Sequence, residues 1–252
     1  MSDIQSFPQI HPARLPRHSR WLHKMCFYPV LLTQGPWIKA RTPRLPEPEG
    51  VREGVLGTGP DLRVLIAGDS SAAGVGVDTQ DDALSGQLTR RLARRARVDW
   101  QLVAKCGNTT PTALRQLQKA QPRPVDVAVV GLGVNDITSG ATVSQWLRRT
   151  DALIDHLRGD LGAQQVYLAG IPPLWQFPVL QNPLRWTLGH QAERFDRALR
   201  QHLAARGDAT WITLDMGLSE DNMAPDGFHP GPVVYGEWAR AVADRIFVDR
   251  KL

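Results

Sequence analysis

The chain has 252 residues, 42% of them hydrophobic, enough for one well-buried domain with an appendage and cramped for two full domains. Its formal net charge of +5 is unevenly placed: residues 1–44 hold seven Lys/Arg and one Asp, while the other 208 hold 23 basic and 24 acidic residues. A near-neutral body lacks the clustered positive charge that tracks phosphates, so nucleic-acid binding by the body is disfavoured; two cysteines, Cys26 and Cys106, make neither a disulfide framework nor a zinc site.

The first twenty residues carry no apolar core of a signal peptide. The run WLHKMCFYPVLL (21–32) is broken by Lys24 and Pro29 and is shorter than the roughly 20 residues a bilayer span needs. Its first half reads as a short amphipathic turn able to touch anionic lipid, or as a strap packed along the body. A cytoplasmic protein is expected, with peripheral membrane or partner contact confined to residues 1–44. Residues 39–60, KARTPRLPEPEGVREGVLGTGP, are rich in Pro and Gly and read as a connector. The expected division is therefore a basic arm and connector over 1–60 and a folded domain over 61–252.

From residue 62 onward, apolar runs alternate with helical patterns. Strands are expected at 63–68, 98–104, 125–133, 165–170 and 210–215, and helices at about 82–96, 111–120, 142–158, 189–206 and 232–248. Within the first helix, TRRLARRAR (89–97) is locally basic and reads as a solvated face. The strands are Val- and Ile-rich rather than alternating, which predicts burial on both faces and a parallel five-stranded α/β sheet covered by helices on each side. Ligands of such sheets bind beyond the carboxyl ends of the strands.

Polar residues cluster at those ends. Gly68-Asp69-Ser70-Ser71 follows the first strand, Cys106-Gly107-Asn108 the second, Gly133-Val134-Asn135-Asp136 the third and Asp226-Gly227-Phe228-His229 the fifth. A serine hydroxyl needs a base, and His229, in a Gly/Pro-flanked loop, is the best-placed histidine. An imidazole in turn needs an acceptor to fix its tautomer, which Asp226 supplies three residues earlier. The oxyanion of an acyl intermediate needs preorganised donors, for which the backbone N–H of Ser70 and of Gly107 and the amide of Asn135 are the candidates. Cys106 beside Gly107 reads as a buried, inert thiol rather than a nucleophile. Asp69 and Asp136 read as structural.

With these pieces in order, the chain resembles the SGNH (GDSL) hydrolase superfamily over about residues 62–248: Gly68-Asp69-Ser70 with Gly74, then Gly107, then Gly133-x-Asn135-Asp136, then Asp226-x-x-His229. The second motif departs from the family's usual Gly-x-Ser-Gly, so Gly107 rests on its position after a strand. The resemblance implies a flavodoxin-like three-layer α/β/α sandwich with strand order 2-1-3-4-5, and hydrolysis of carboxylic esters without metal or organic cofactor. The substrate expected is a small to medium acyl ester, cleaved by Ser70, His229 and Asp226. Acyl transfer by the same Ser and His, and a silent binding module on the same fold, are the alternatives; metal-dependent phosphoester hydrolysis through Asp69, Asp136, Asp226 and His229 ranks below them. The apolar segment 171–190 is expected to wall the acyl pocket with Trp175, Phe177, Leu180 and Trp186. Trp146, Trp211 and Trp238 read as packing.

Overall fold

In the computed structural model of the chain, residues 43–214 and 216–252 are described. The basic arm up to residue 42, its amphipathic run 21–32 and Cys26 lie outside the described residues. The sheet has six strands: β1 (Glu53–Leu56), β2 (Asp61–Gly68), β3 (Arg97–Ala104), β4 (Val127–Gly131), β5 (Gln165–Ala169) and β6 (Thr210–Ile212), in the order β1-β3-β2-β4-β5-β6. β2 through β6 are parallel and follow the expected 2-1-3-4-5 order.

The helices are α1 (Ser70–Ala73), α2 (Leu84–Leu92), α3 (Thr110–Ala120), α4 (Val134–Thr138), α5 (Val143–Gly159), α6 (Leu184–Arg206) and α7 (Pro232–Arg250). Successive strand side chains point to opposite faces, and the core divides accordingly. Leu65, Ala67, Ala128, Val130, Val166 and Leu168 pack with Leu117 of α3, Leu153 of α5 and Phe195 of α6. Val64, Ile66, Val127, Val129, Tyr167 and Ala169 pack with Leu88 of α2 and Trp238 of α7. The result is the three-layer sandwich. Among the described residues no helix is long and apolar enough to cross a membrane.

Two departures from the sequence reading have local causes. The connector contributes a sixth strand, β1, antiparallel to β3 with Glu53 opposite Gln101 and Leu56 opposite Val98. Its four residues alternate exposed and half-buried, as an edge strand covered on one face should. Arg123 fastens it by reaching both Glu53 on β1 (2.8 Å) and Asp99 on β3 (2.9 Å). The sixth helix begins at Leu184 rather than 189, directly after Pro183, whose fixed φ suits a helix start. The apolar loop after β5 is shorter by that turn.

β2 sits at the centre, and its tip is crowded. Gly68 pairs with Ala104 on one side and Gly131 on the other. A Cβ on Gly68 would press into the carbonyl oxygen of Gly131 and lie 2.5 Å from the Cβ of Ala72. One on Gly131 would lie 2.6 Å from the indole of Trp238. Only hydrogen fits at either place. Gly68→Ala is therefore expected to destabilise the fold by about 2 kcal/mol or more, as overpacking against backbone does; urea denaturation of the variant beside wild type measures it.

Candidate active site

The polar turn after β2 is fixed from two directions. The N–H of Asp69 donates to the Gly131 carbonyl at 3.1 Å, tying the tips of β2 and β4 together. Its carboxylate caps α1 by accepting from the N–H of Ser71 at 3.0 Å. Gly74, at φ 94°, ends that single turn in the left-handed region, so Ser70 sits at the head of a short, closed loop. Burial pushes the Asp69 carboxyl up to about 6; the Ser71 N–H and the nearby His229 act in the opposite direction.

The loop after β6 is built around one carboxylate. Asp226 Oδ1 accepts from the N–H groups of Phe228 and His229, both at 2.9 Å, while Oδ2 meets His229 Nδ1 at 2.5 Å. Gly227, at φ 63°, permits the tight reversal between them. The other side of the imidazole, Nε2, lies 2.9 Å from Ser70 Oγ. Burial raises the Asp226 carboxyl, but the ring and the two backbone donors outweigh it, and the group is held below its ordinary value. It is therefore an anion across the neutral range.

The other described histidines are occupied elsewhere: His156 with Asp160, His202 with Asp151, and His190 against the ring of Trp186. Among the described residues no three His, Cys, Asp or Glu side chains converge as metal ligands.

The two remaining strand tips meet through side chains. After β3, Asn108 donates its amide to the Gly68 carbonyl at 3.0 Å. After β4, the Asn135 amide donates to the Asn108 carbonyl at 3.0 Å and lies 3.4 Å from Asp69 Oδ2. Asp136, fully buried, accepts from the N–H and hydroxyl of Thr110 at 2.8 and 2.9 Å, and the Trp146 indole donates to that hydroxyl at 3.1 Å. Burial raises the Asp136 carboxyl. Asp136 thus pins α4, which carries Asn135, to the start of α3, as its structural reading expects.

Gly107 lies between Cys106 and Asn108 at φ 82°, exposed, with open space where a Cβ would stand. The N–H groups of Ser70 and Gly107 make no hydrogen bond among the described residues. Cys106 is exposed, not buried as its sequence suggests, because its backbone turns outward where its N–H donates to Glu47 at 2.9 Å. Partial burial of its sulfur and then the Glu47 carboxylate raise its thiol, with the Ser70 hydroxyl acting the other way. A raised thiol is a poor nucleophile at neutral pH.

A mostly apolar cavity opens beside Ser70 and Asn135. Phe177 lines it, as expected. The other three residues assigned to its wall do not: Trp175 is 54% exposed on a 3-10 turn (Leu174–Gln176), Leu180 is buried in the core, and Trp186 packs on His190 from within α6. The walls come instead from Leu132 and Val134 after β4, from Leu214, Met216, Leu218 and Met223 after β6, and from Val234 and Trp238 of α7. The 214–223 stretch carries Leu and Met between polar residues, and that spacing was the available signal in the sequence. Trp238, read as packing, packs and lines the cavity at once.

The raised Asp69 carboxyl has a stability consequence. A carboxyl whose folded pKa lies above its unfolded value of 3.8 stabilises the fold fully below that value, and the contribution is lost as pH rises through about 6. Wild type should therefore lose about 2 kcal/mol relative to Asp69→Asn between pH 4.5 and 7.5. Parallel urea titrations of the two proteins at pH 4.5 and 7.5 measure the difference.

Comparison with known proteins bears on the fold and the family of the chain. No curated protein matches the chain significantly. Several solved structures share its fold. A psychrotrophic esterase, EstA, from Pseudoalteromonas sp. is 20% identical, covering 76% of this chain and 100% of that one at a TM-score of 0.57. A carbohydrate acetylesterase family member from Sinorhizobium meliloti is 19% identical, covering 76% and 100% at 0.60. A lipase/acylhydrolase from Enterococcus faecalis is 19% identical, covering 75% and 96% at 0.59. At these identities the likeness is one of fold. The sequence itself goes further: residues 66–236 match the family described as GDSL-like Lipase/Acylhydrolase, from the end of β2 through the start of α7. The chain belongs to the GDSL-like lipase/acylhydrolase family.

Proposed function

We propose that the protein is a serine esterase acting on small to medium acyl esters, with Ser70 as nucleophile, His229 as base and Asp226 as its orienting anion. The observation that carries this reading is the unbroken run from Asp226 Oδ2 through the His229 ring to Ser70 Oγ, at 2.5 and 2.9 Å, beside an apolar cavity. In the first step Oγ attacks the ester carbonyl carbon as its proton passes to His229 Nε2. Asp226, bonded to Nδ1, holds the ring in the tautomer that leaves Nε2 free and offsets the imidazolium charge. His229 then returns the proton to the departing alcohol, leaving Ser70 acylated. Water, deprotonated by the same nitrogen, releases the acid.

The tetrahedral intermediate carries its negative charge on the former carbonyl oxygen. The uncommitted N–H groups of Ser70 and Gly107 are the backbone donors assigned to it. Asn135 supplies the third: one of its amide hydrogens is engaged by Asn108 at 3.0 Å, and the other makes only the 3.4 Å approach to Asp69. Such donors act because they are already oriented when charge develops. Family membership supports ester hydrolysis in general. The apolar walls favour an acyl chain of some length over acetate, since a cavity of this character gains little from a single methyl group.

Ser70→Ala and His229→Ala should each abolish hydrolysis of nitrophenyl hexanoate to a similar degree, because the pair acts as one unit. A fluorophosphonate probe should label wild type and fail on Ser70→Ala. An unchanged rate in that variant would sink the reading. Asn135→Ala should lower kcat by roughly 10²–10³, as loss of an oxyanion donor does, and Asp226→Asn should lower it less than His229→Ala. Steady-state kinetics across acetate, butyrate, hexanoate and octanoate measure all of these.

A further inference from the structure

Two hydrogen bonds hold the His229 imidazole in the site, Nδ1 to Asp226 at 2.5 Å and Nε2 to Ser70 Oγ at 2.9 Å. Two points define an axis, and a ring held only by them is free to rock about the line that joins them. The N–H and the lone pair lie in the ring plane at an angle to that line, so rocking swings both off their partners and weakens both bonds. A third contact on the ring removes that freedom. Phe228 supplies one: its ring stands close to perpendicular to the imidazole, at 73° with centroids 5.3 Å apart. Phe228 is braced in turn by Phe177, at 83° and 5.3 Å, the edge-on arrangement that aromatic pairs favour. Phe177 is 4% exposed and Phe228 half-buried, and both rings line the cavity beside Ser70.

Phe177 belongs to the loop after β5, and that loop meets the 226–229 turn at more than one point. The N–H of Val179 donates to the Gly227 carbonyl at 3.3 Å. A Cβ on Gly227 would lie 3.0 Å from the Val179 nitrogen and 3.3 Å from the Pro178 Cβ, so the two backbones are in close contact. Behind the loop, Arg185 in the first turn of α6 donates to the Phe177 and Pro178 carbonyls at 3.4 and 3.3 Å. The aromatic pair therefore ties the turn that carries the base to α6, a helix that supplies no catalytic group. An apolar wall alone needs none of this; leucine at both positions would line the cavity without bracing the imidazole.

We propose that Phe177 is a positioning residue for the base: through the Phe228 ring it holds the His229 imidazole in line with Ser70 Oγ. The inference rests on the esterase reading for the role of His229. It gives the aromatic pair two duties, since the rings that wall the acyl cavity also seat the group that activates the nucleophile. Orientation of a catalytic group lowers the barrier for every substrate, whereas contact with a long acyl chain helps only the substrates that have one. Loss of Phe177 therefore costs turnover even on an ester too short to need the wall.

The test uses the full chain, nitrophenyl acetate and hexanoate, and the variants Phe177→Ala, Phe228→Ala and their double. In Phe177→Ala, kcat on acetate should fall by about fivefold to tenfold with KM little changed, the scale of a loosened rather than a displaced base. The double variant should lose no more kcat than Phe228→Ala alone, because Phe177 acts through that ring. An unchanged kcat on acetate, with only KM for hexanoate raised, would leave Phe177 as a wall and overturn the proposal; additive losses in the double variant would overturn it too. If the alanine variants do not fold, Phe177→Leu and Phe228→Leu keep apolar bulk at both places and are judged by the same outcomes. Should no ester be hydrolysed in a Ser70-dependent manner, it is the esterase reading that fails. Proton NMR then follows the ring without turnover: the His229 Nδ1 proton bonded to Asp226 should give a low-field resonance in wild type that broadens by water exchange in Phe177→Ala, and a resonance equally sharp in both overturns the positioning role.

Discussion

The site depends on how closely three backbones approach at the tip of β2. Gly68 has neither room for a Cβ nor a free carbonyl: its neighbour Gly131 presses on one side, and the Asn108 amide occupies its oxygen from the other. The next N–H, that of Asp69, is spent on Gly131. With the chain pinned at this point, Ser70 can leave the sheet in only one direction. The Asn108 carbonyl then holds the Asn135 amide, so the loops after β2, β3 and β4 form one connected rim. A serine on an ordinary loop would have to be oriented at each encounter; here backbone contacts have already done it.

Electrostatics around that rim are divided between two buried carboxylates with opposite fates. Asp226 is surrounded by donors and stays ionised despite burial. Asp69 has fewer donors, and burial, its largest influence, pushes it up to about 6. At Asp226 the imidazole and the two backbone N–H groups outweigh burial. One carboxylate serves the histidine; the other serves the turn and pays in stability at neutral pH.

Much of this was legible in the sequence, and the reasons differ from residue to residue. The five parallel strands declared themselves because runs such as VLIAG and VAVV are buried on both faces and need no alternation to be recognised. Ser70, Asn135, Asp226 and His229 stood out because each follows a strand end among glycines or prolines, where backbone geometry rather than packing selects the residue. β1 was hidden because four residues of edge strand in a Gly- and Pro-rich stretch carry too little pattern. The start of α6 was hidden because Leu184 and Trp186 continue the apolar run assigned to the pocket wall, and Pro183 is the one first-turn signal before it. The cavity walls were the least legible part. Trp175 and Trp186 lie close to Phe177 in sequence yet point elsewhere, while Leu214, Met216 and Trp238 converge from separate elements, and convergence is a property of the fold rather than of any one segment.

The segment before β1 has a bearing on all this that its composition conceals. Glu47 takes the N–H of Cys106 and is itself gripped by Arg52, whose guanidinium also reaches the Ala104 carbonyl at 2.6 Å. The turn that carries Gly107 is thus held in place by residues that a boundary drawn at the connector would discard. A catalytic domain trimmed at residue 60 would keep every motif and lose the brace behind one of them, so the edge of the enzyme lies upstream of the edge of its signature.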